Sequence, residues 1–217
     1  ESQAATDITP GDPSWSIGRQ YFCSGCDGWF NGMIDDVKIF NRSLTASEVR
    51  ELYNESKVSH SIILKGSGSK ALENDDSLVS KWNFDNDATD SIGSNDGTVT
   101  GATHTNKGKY KQAYEFDGEN DEIRISQDAL PTSDTFTISF WVYINKLISN
   151  SNNMFGADKD SDNFFKIRNN EDRIQLLSKN GGVTLLDVRG STSQLTEKQW
   201  DHITIVCNGS GHNKGFI

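Results

Sequence analysis

The sequence predicts an all-β sandwich of antiparallel strands that carries one short helix. Three observations predict this class: apolar and polar residues alternate along many short segments, turn-forming residues separate those segments, and one segment has helical spacing. Many short strands separated by turns are typical of a sandwich. Apolar residues make up 34% of the 217 residues and aromatic residues 10%, which is enough for a buried core.

The helix is predicted over residues 46 to 53. Thr45 is the expected N-cap, and Glu48 completes a capping box, in which each side chain accepts a hydrogen bond from the other residue's backbone N–H. Leu44 and Val49 flank the cap as a hydrophobic staple. The apolar residues of the helix share one face, which we expect to pack on a sheet edge: Val49, Leu52 and Tyr53.

Residues 56–77, which follow the helix, have the composition of a linker. They include GSGSKALENDDS, which is rich in Gly, Ser and charged residues. The predicted organisation is therefore a first segment over residues 1–55, a linker over 56–77 and a second segment over 78–217.

Short strands fill the second segment. The longest is predicted over residues 135–144 (TFTISFWVYI), where Phe136 and the alternate residues after it share one face and Thr137, Ser139, Trp141 and Tyr143 share the other. Similar patterns predict strands at 78–84, 111–116, 121–125, 163–168, 173–178, 183–188 and 200–207.

The charge of the chain excludes some classes of partner. Acidic residues outnumber basic ones 31 to 21, which gives a net charge of -10. A negative field repels phosphate backbones and anionic lipid headgroups, so we expect no nucleic-acid partner. No stretch approaches the ~20 apolar residues of a membrane-spanning helix, so we expect no membrane insertion.

Three cysteines allow two kinds of interpretation. Cys23 and Cys26 form a C-x-x-C pair without the further ligands of a zinc site, which favours a small loop disulfide or two free thiols. Cys207 alternates with Ile203 and Ile205, which predicts that its thiol lies in an apolar core.

Two parts of the chain resemble one known family. Residues 30–53, FNGMIDDVKIFNRSLTASEVRELY, contain a Phe-x-Gly entry, an Ile-Asp-acid-Val strand and a capped helix that ends in Leu-Tyr. They resemble the closing segment of laminin-G-like (concanavalin A-like) jelly-roll domains, and WSIGR at 15–19 matches the strand before it. Residues 78–210 resemble the opening and middle of such a domain. The resemblance implies a two-sheet antiparallel jelly roll and an extracellular or cell-surface location.

The two resembling parts stand in inverted order, because the closing segment comes first. The first and last strands of a jelly roll lie side by side, and a linker of this length could span roughly 70 Å. We therefore expect one circularly permuted jelly roll in which residues 30–40 pair with residues 78–84. The inverted order also implies neighbouring repeats in a longer chain.

Asp35 is the first candidate metal ligand. Alternation would place it on one face with Val37 and Ile39, so its carboxylate should be buried and should need a partner. The resemblance implies that Asp90 and the acid of the closing strand lie near a bound calcium ion, which Asp35, Asp90 and Asn95 could share. The alternative is that these side chains cap turns through backbone N–H groups.

A second acidic loop, Asp158 to Asn163, has oxygen-bearing side chains at alternate positions. It departs from an EF-hand calcium loop, because Asn163 stands where that loop has glycine and Asn169 where it has a bidentate glutamate. We interpret it as a solvated hairpin tip.

Glu115, Asp117 and Glu119 have the E-x-D-x-E spacing of retaining β-glucanases, in which three carboxylates alternate on one strand. Here Gly118 interrupts the pattern and favours a turn between two strands. We therefore predict that the chain is not an enzyme, and a glycoside hydrolase fragment is the alternative.

Aromatic side chains are the candidate ligand contacts. Trp141 and Tyr143 lie on the polar face of their strand, where rings could stack on sugars, and Trp29 lies in a separate loop. The alternative is that loops or the helix cover the two strand rings.

These observations together favour a non-catalytic extracellular binding or adhesion module that recognises a carbohydrate or a protein and is stabilised by calcium. A structural spacer repeat of a surface protein is a further alternative.

Overall fold

The computed structural model describes residues 15–19, 28–55, 72–129, 135–147, 153–160, 162–191, 193–209 and 214–216. These residues form two antiparallel β-sheets, one α-helix and two short 3-10 helices. The helices are α1 (Ala46–Glu55), η1 (Leu72–Asn74) and η2 (Gln127–Ala129). The strands are β1 (Trp15–Ile17), β2 (Asn31–Phe40), β3 (Leu78–Trp82), β4 (Thr98–Thr100), β5 (Thr103–Thr105), β6 (Ala113–Asp117), β7 (Glu122–Ile125), β8 (Thr135–Ile144), β9 (Asn153–Asp160), β10 (Asn163–Asn170), β11 (Arg173–Asn180), β12 (Val183–Arg189), β13 (Trp200–Asn208) and β14 (Lys214–Phe216).

The strand order confirms the predicted two-sheet sandwich. Sheet A runs β12-β11-β10-β9-β1-β7-β4, and sheet B runs β14-β13-β8-β2-β6-β5 with β3 also pairing with β2. The first segment thus supplies an inner strand to each sheet, β1 between β9 and β7 and β2 beside β8. The pairing required by a permuted jelly roll is present, because Val37 lies opposite Trp82 and Phe40 opposite Leu78.

The main core lies between the sheets and is rich in aromatic side chains. Its largest fully buried members come from both sheets: Phe30, Trp82, Phe84, Phe116, Phe136, Phe140, Phe155 and Phe165. Cys207 is buried among them, as predicted. Burial of side chains of this size contributes roughly 1.5 to 3 kcal/mol each.

Helix α1 packs on the outer face of sheet B and forms a second, smaller apolar cluster. It begins at the predicted residue and extends two residues further than predicted, to Glu55. The capping box is present, because the Thr45 N–H donates to Glu48 Oε2 at 2.7 Å and the Glu48 N–H donates to Thr45 Oγ1 at 3.3 Å. Leu44 and Val49, the predicted hydrophobic staple on either side of the cap, are buried in the same cluster.

Several elements differ from the sequence prediction. Residues 72–77, assigned to the linker by composition, are folded: Leu72 is buried in the helix cluster, and Arg42 binds Asp75 and Ser77. Strands β4, β5, β9 and β14 are not among the predicted strands. Three of them have only three residues each, and β9 carries Gly and charged residues. Strands β9 and β10 form a hairpin in which Asp160 lies opposite Asn163, so most of the acidic segment belongs to the strand ends.

No helix in the described ranges is both long and apolar enough to cross a membrane. Cys23 and Cys26 lie outside the described residues.

Candidate functional site

A polar cleft of about 280 Å³ opens on the outer face of sheet B. One edge of β2 has two successive neighbours there, since Asn31–Ile34 pair with β6 and Val37–Phe40 pair with β3. The cleft lies around the gap between these two neighbours. Its lining comes from β2, β3, helix α1 and the segments beside them: Asp36, Lys38, Leu52, Glu73, Lys81, Asn83, Asp85, Tyr110 and Lys111.

Charges of both signs alternate around the cleft. Lys38 Nζ lies 3.0 Å from Asp36 Oδ2, and Lys111 Nζ lies 2.7 Å from Asp85 Oδ2. A third pair joins Lys81 to Glu73, and the hydrogen bond from Lys81 lowers the pKa of the Glu73 carboxyl. The cleft therefore presents ammonium donors next to carboxylate acceptors.

A β-bulge in β2 shapes the floor beside the cleft. Asp35 lies opposite Trp141 and Lys38 opposite Ser139, so β2 has one residue more than β8 over this stretch. The extra residue is Asp36, whose φ is 50°. A residue in this left-handed conformation bends the strand and changes the face on which its neighbours lie.

Because of this bulge, the predicted orientation of Asp35 is wrong. Val37 and Ile39 lie in the core between the sheets, but Asp35 lies on the outer face with Lys38 and Phe40. Simple alternation fails here because the extra residue shifts the period by one position. The side chain is nevertheless buried, as expected, because the segment containing Tyr110 covers it.

The Asp35 carboxyl group has an unusual environment. Its Oδ2 accepts a hydrogen bond from the backbone N–H of Tyr110 at 2.9 Å, whereas its Oδ1 is buried and has no hydrogen-bond partner among the described residues. Burial raises the pKa of Asp35 to about 8, and the nearby Asp36 and Asp85 carboxylates add to this effect. The group is therefore mostly protonated at neutral pH, directly behind the wall of the cleft.

Trp141 is covered, which agrees with the alternative interpretation of its ring. Its side chain is only 2% exposed. Tyr53 of helix α1 stacks on it with ring centroids 5.6 Å apart. The Lys109 ammonium group makes a cation–π contact, 4.1 Å from the centroid of the Trp141 ring. His202 packs beside it at 4.8 Å, and burial lowers the pKa of that imidazole to about 3. The indole ring is thus packed beneath these side chains, and no face of it is open to a ligand.

The other two predicted ligand contacts are partly exposed and lie apart from the cleft lining. Tyr143 packs against Trp200 at 5.7 Å on the outer face of sheet B. Trp29 lies under the guanidinium of Arg19, 4.5 Å from the ring centroid. Trp141 and Tyr143 thus share the outer face of sheet B, with Trp141 covered. Trp29 is separate from them, because it contacts Arg19, which pairs with Glu122 of sheet A.

Asp90 and Asn95 lie in one loop and make turn-capping contacts. Asp90 Oδ1 accepts backbone N–H groups of Lys81, Ile92 and Gly93 at 2.9 to 3.1 Å, and Oδ2 accepts that of Asn95 at 3.2 Å. Such bonds to backbone N–H groups are the ones expected if Asp90 caps turns, which was the alternative to a calcium site.

Asp35 does not share this loop environment. Asn95 donates its side-chain amide to Ser80 at 2.9 Å. Ser80 pairs with Ile39 of the core and so faces the opposite side of sheet B from Asp35. No group of three or more His, Cys, Asp or Glu side chains within the described ranges could hold a metal ion. The calcium site stays a prediction.

Glu115, Asp117 and Glu119 do not lie on one uninterrupted strand. β6 ends at Asp117, whose Oδ1 accepts the N–H of Glu119 at 2.7 Å, and Gly118 has a φ of 85°. The segment after β6 is a turn, as the Phe-Asp-Gly pattern indicated.

Sequence reasoning missed the residues that line the cleft. A signal was available, because Asp36 and Lys38 lie on a strand expected to pair with the strand that contains Lys81 and precedes Asp85. The contribution of Tyr110 and Lys111 could not be read from the sequence, since it depends on how one segment crosses the gap between β3 and β6.

Comparison with protein families supports the fold. A laminin-G family model, described as concanavalin A-like lectin/glucanases superfamily, matches residues 1–50 and 116–216, which is more than half of the chain. Searches of curated proteins and of solved structures gave no significant match. The two matched segments, the two antiparallel sheets and helix α1 on sheet B together show that this chain belongs to the concanavalin A-like lectin/glucanase superfamily.

Proposed function

We propose that this chain is a non-catalytic extracellular module that binds a carbohydrate, with one sugar residue seated in the cleft on sheet B. The observation that carries the proposal is the alternation of lysine donors and carboxylate acceptors around that cleft. An extracellular protein is the second candidate ligand, and neighbouring repeats are proposed for the parent chain because the family segments stand in inverted order.

Sugar hydroxyl groups suit such a lining. Each hydroxyl can donate one hydrogen bond and accept others, whereas an ammonium group only donates and a carboxylate only accepts. A lysine next to a carboxylate therefore matches two neighbouring hydroxyls of one sugar ring. Asn83 adds an amide that can do both, and Leu52 and Tyr110 add apolar surface for the ring.

The size of the cleft limits the ligand. Its volume of about 280 Å³ lies just below the ~300 to 1,000 Å³ found for ligand pockets. A single sugar residue, at the end of a chain or as a branch, fits this volume better than several consecutive residues.

Two observations support a binding role without catalysis. The carboxylates Glu115 and Asp117 are separated from Glu119 by a turn, which removes the strand geometry that a retaining glucanase requires. Each carboxylate of the cleft pairs with a lysine, an arrangement that suits hydrogen bonds to sugar hydroxyl groups. Hydrolysis of β-glucans by the purified chain, abolished in Glu115→Gln, would establish the glycoside hydrolase alternative instead.

Binding to a glycan array, followed by calorimetric titration of the best ligand, tests the proposal. We expect Lys81→Met and Asp85→Asn each to weaken binding about tenfold, because each removes a charged hydrogen-bond partner. Lys107→Met is the matched control, since this exposed lysine lies in the neighbouring segment outside the cleft lining. Thermal unfolding of each variant checks that the fold is intact.

Two results would reject the proposal. One is the absence of binding to any glycan on the array. The other is equal affinity of the wild type, the two cleft variants and the control, which would place the ligand elsewhere on the surface.

A further inference from the structure

A row of four side chains crosses the outer face of sheet B from β6 to β13. Glu115 lies opposite Met33, Met33 opposite Tyr143, and Tyr143 opposite Trp200. The side chains of directly opposite residues lie on the same face of a sheet. Alternate residues of the same strands are buried in the core between the sheets: Ile34, Phe116, Val142 and Ile203. The row therefore faces outward, and it is about 14 Å long at the usual strand spacing.

Tyr143 and Trp200 form an aromatic corner at one end of this row. Their ring centroids are 5.7 Å apart, and the ring planes meet at 60°. Both side chains are partly exposed. One ring can therefore pack on the face of an apolar group while the other ring packs on its edge.

The polar atoms of this aromatic corner are open to a ligand. Neither the Tyr143 hydroxyl nor the Trp200 indole N–H is bonded to another residue in the described part of the chain, and neither atom is buried. The hydroxyl can donate and accept a hydrogen bond, whereas the indole N–H only donates. A ligand can bind both groups without breaking an existing contact.

Glu115 supplies an acceptor at the other end of the row. Its side chain is partly exposed, and it makes no ion pair or hydrogen bond with any described residue. The cleft differs in this respect, because each of its carboxylates pairs with a lysine. Met33, between Glu115 and the aromatic corner, is only 5% exposed and supports its neighbours from below. The row thus has a free acceptor at one end and free donors at the other.

From this arrangement we infer that Glu115, Tyr143 and Trp200 form a second carbohydrate site, which binds a neutral oligosaccharide of glucose-type rings. Its ligand class rests on the proposed function, whereas its residues are separate from those that line the cleft. Equatorial hydroxyls leave the faces of a glucose ring with C–H groups only, and these pack on the indole. Hydroxyls at the ring edge accept from the Trp200 N–H, and those of a linked sugar residue donate to Glu115.

The charges around the row exclude other ligands. An anionic sugar would be repelled by Glu115 and by Asp117, which is exposed at the end of the same strand. An ammonium ligand would be attracted by the carboxylate but would bring no acceptor to the indole N–H of Trp200. A neutral sugar brings both donors and acceptors without a charge.

The indole N–H of Trp200 provides a direct measurement of binding. Its signal in a heteronuclear NMR spectrum is identified by its absence in Trp200→Phe. Titrations would use cellotriose, a β-glucuronate trisaccharide and choline as neutral, anionic and cationic probes. We expect cellotriose to shift the Trp200 signal until it saturates. The other two probes should leave the signal unchanged at the same concentrations.

Variants locate the binding by calorimetry. Trp200→Ala should weaken cellotriose binding about tenfold, because the stacking surface is lost, and Trp200→Phe by less, because a ring remains. Glu115→Gln should also weaken it, because an amide is a poorer acceptor than a carboxylate. Trp29→Ala is the matched control, since Trp29 is also partly exposed but contacts Arg19, which pairs with sheet A. The control should bind as the wild type does, and thermal unfolding checks each fold.

The cleft variant Asp85→Asn separates this site from the cleft. If Trp200→Ala weakens cellotriose binding and Asp85→Asn does not, the row binds the sugar and the proposed cleft site fails. If both variants weaken it, one oligosaccharide uses both places and the second site stands. If only Asp85→Asn weakens it, the sugar lies in the cleft alone, which overturns the second site and leaves the proposed function intact.

Three further results would overturn the second site. One is an unchanged Trp200 signal with cellotriose, and another is an equal shift with choline or the glucuronate. The third is an equal loss of binding in Trp200→Ala and Trp29→Ala. Trp200→Phe keeps the test valid if Trp200→Ala unfolds.

Discussion

The backbone N–H of Tyr110 donates to the Asp35 carboxyl across a sequence separation of 75 residues. This bond joins β2, in the middle of sheet B, to the segment before β6 that forms one wall of the cleft. The backbone segment at Tyr110 therefore contacts the buried Asp35 carboxyl group and also lines the polar cleft. A change in the ionisation of Asp35 acts directly on that wall.

The first prediction concerns pH. The pKa of Asp35 is about 8 in the folded chain and 3.8 for an ordinary aspartate, so the folded state holds this proton more tightly than the unfolded state. The stabilisation from Asp35 is complete below about pH 4 and is lost as the pH rises through 8, with each pKa unit worth about 1.4 kcal/mol. Asp35→Asn keeps an acceptor for Tyr110 and removes this loss, so its advantage in stability over the wild type should grow with pH.

Urea unfolding between about pH 5 and 9 measures this difference. Asp128→Asn, at an exposed position on η2, is the control and should give a pH profile parallel to the wild type. Parallel profiles for Asp35→Asn as well would show that Asp35 ionises like an exposed acid.

The second prediction concerns the start of helix α1. Arg42 binds Glu48 with two hydrogen bonds of 2.6 and 3.1 Å and also pairs with Asp75. The bonds from Arg42 lower the pKa of Glu48 to about 2. Burial alone would raise the pKa of Asp75, but its bonds from Arg42 and Ser77 outweigh burial and bring it to about 2.

Because both folded-state pKa values are lowered, their stabilisation is complete above about pH 4.5 and is lost as the pH falls towards 2. Arg42→Met should lower the free energy of unfolding by about 1 kcal/mol at pH 7, a small amount because the groups are partly exposed and screened by solvent. The loss should be much smaller near pH 2, where the two carboxyl groups become protonated. Arg42→Lys should recover part of the loss without the two parallel bonds to Glu48. Equal costs of Arg42→Met at both pH values, measured by thermal unfolding, would rule out the ionic contribution.

The third prediction separates turn capping from calcium binding at Asp90. Asp90→Ala leaves four backbone N–H groups without their acceptor, so it should lower the melting temperature whether or not calcium is present. Calcium bound to the native state would raise the melting temperature of the wild type at millimolar concentration, and a chelator would lower it. No shift would remove the calcium prediction, while an Asp90→Ala chain as stable as the wild type would contradict the capping role.

Local sequence patterns predicted the fold well where one rule applied over a whole element. Alternation gave the faces of β8 correctly, and the capping box of Thr45 and Glu48 gave the first residue of the helix. Alternation failed at Asp36, because a non-glycine residue with positive φ leaves no reliable mark in the sequence. That single residue decided the face on which Asp35 lies.

The candidate sites depended on contacts that local patterns do not contain. The cover over Trp141 comes from Tyr53 and Lys109, which are 88 and 32 positions away in the printed sequence. Arg19, which pairs with Glu122 of β7, is 103 positions away from it in the chain. Such long-range packing is fixed by the tertiary fold, and a pattern within a window of ten residues cannot show it.

The central position of β2 also has a consequence for biosynthesis. Its principal neighbour, β8, begins roughly a hundred residues after β2 ends. At synthesis rates of ~5 to 20 residues per second, a ten-residue strand with an apolar face waits on the ribosome for about 5 to 20 seconds before that neighbour exists. During this interval the nascent chain has an unpaired strand edge. Efficient production of the folded chain should therefore depend on slow aggregation or on a chaperone that protects residues 31–40 until translation passes β8.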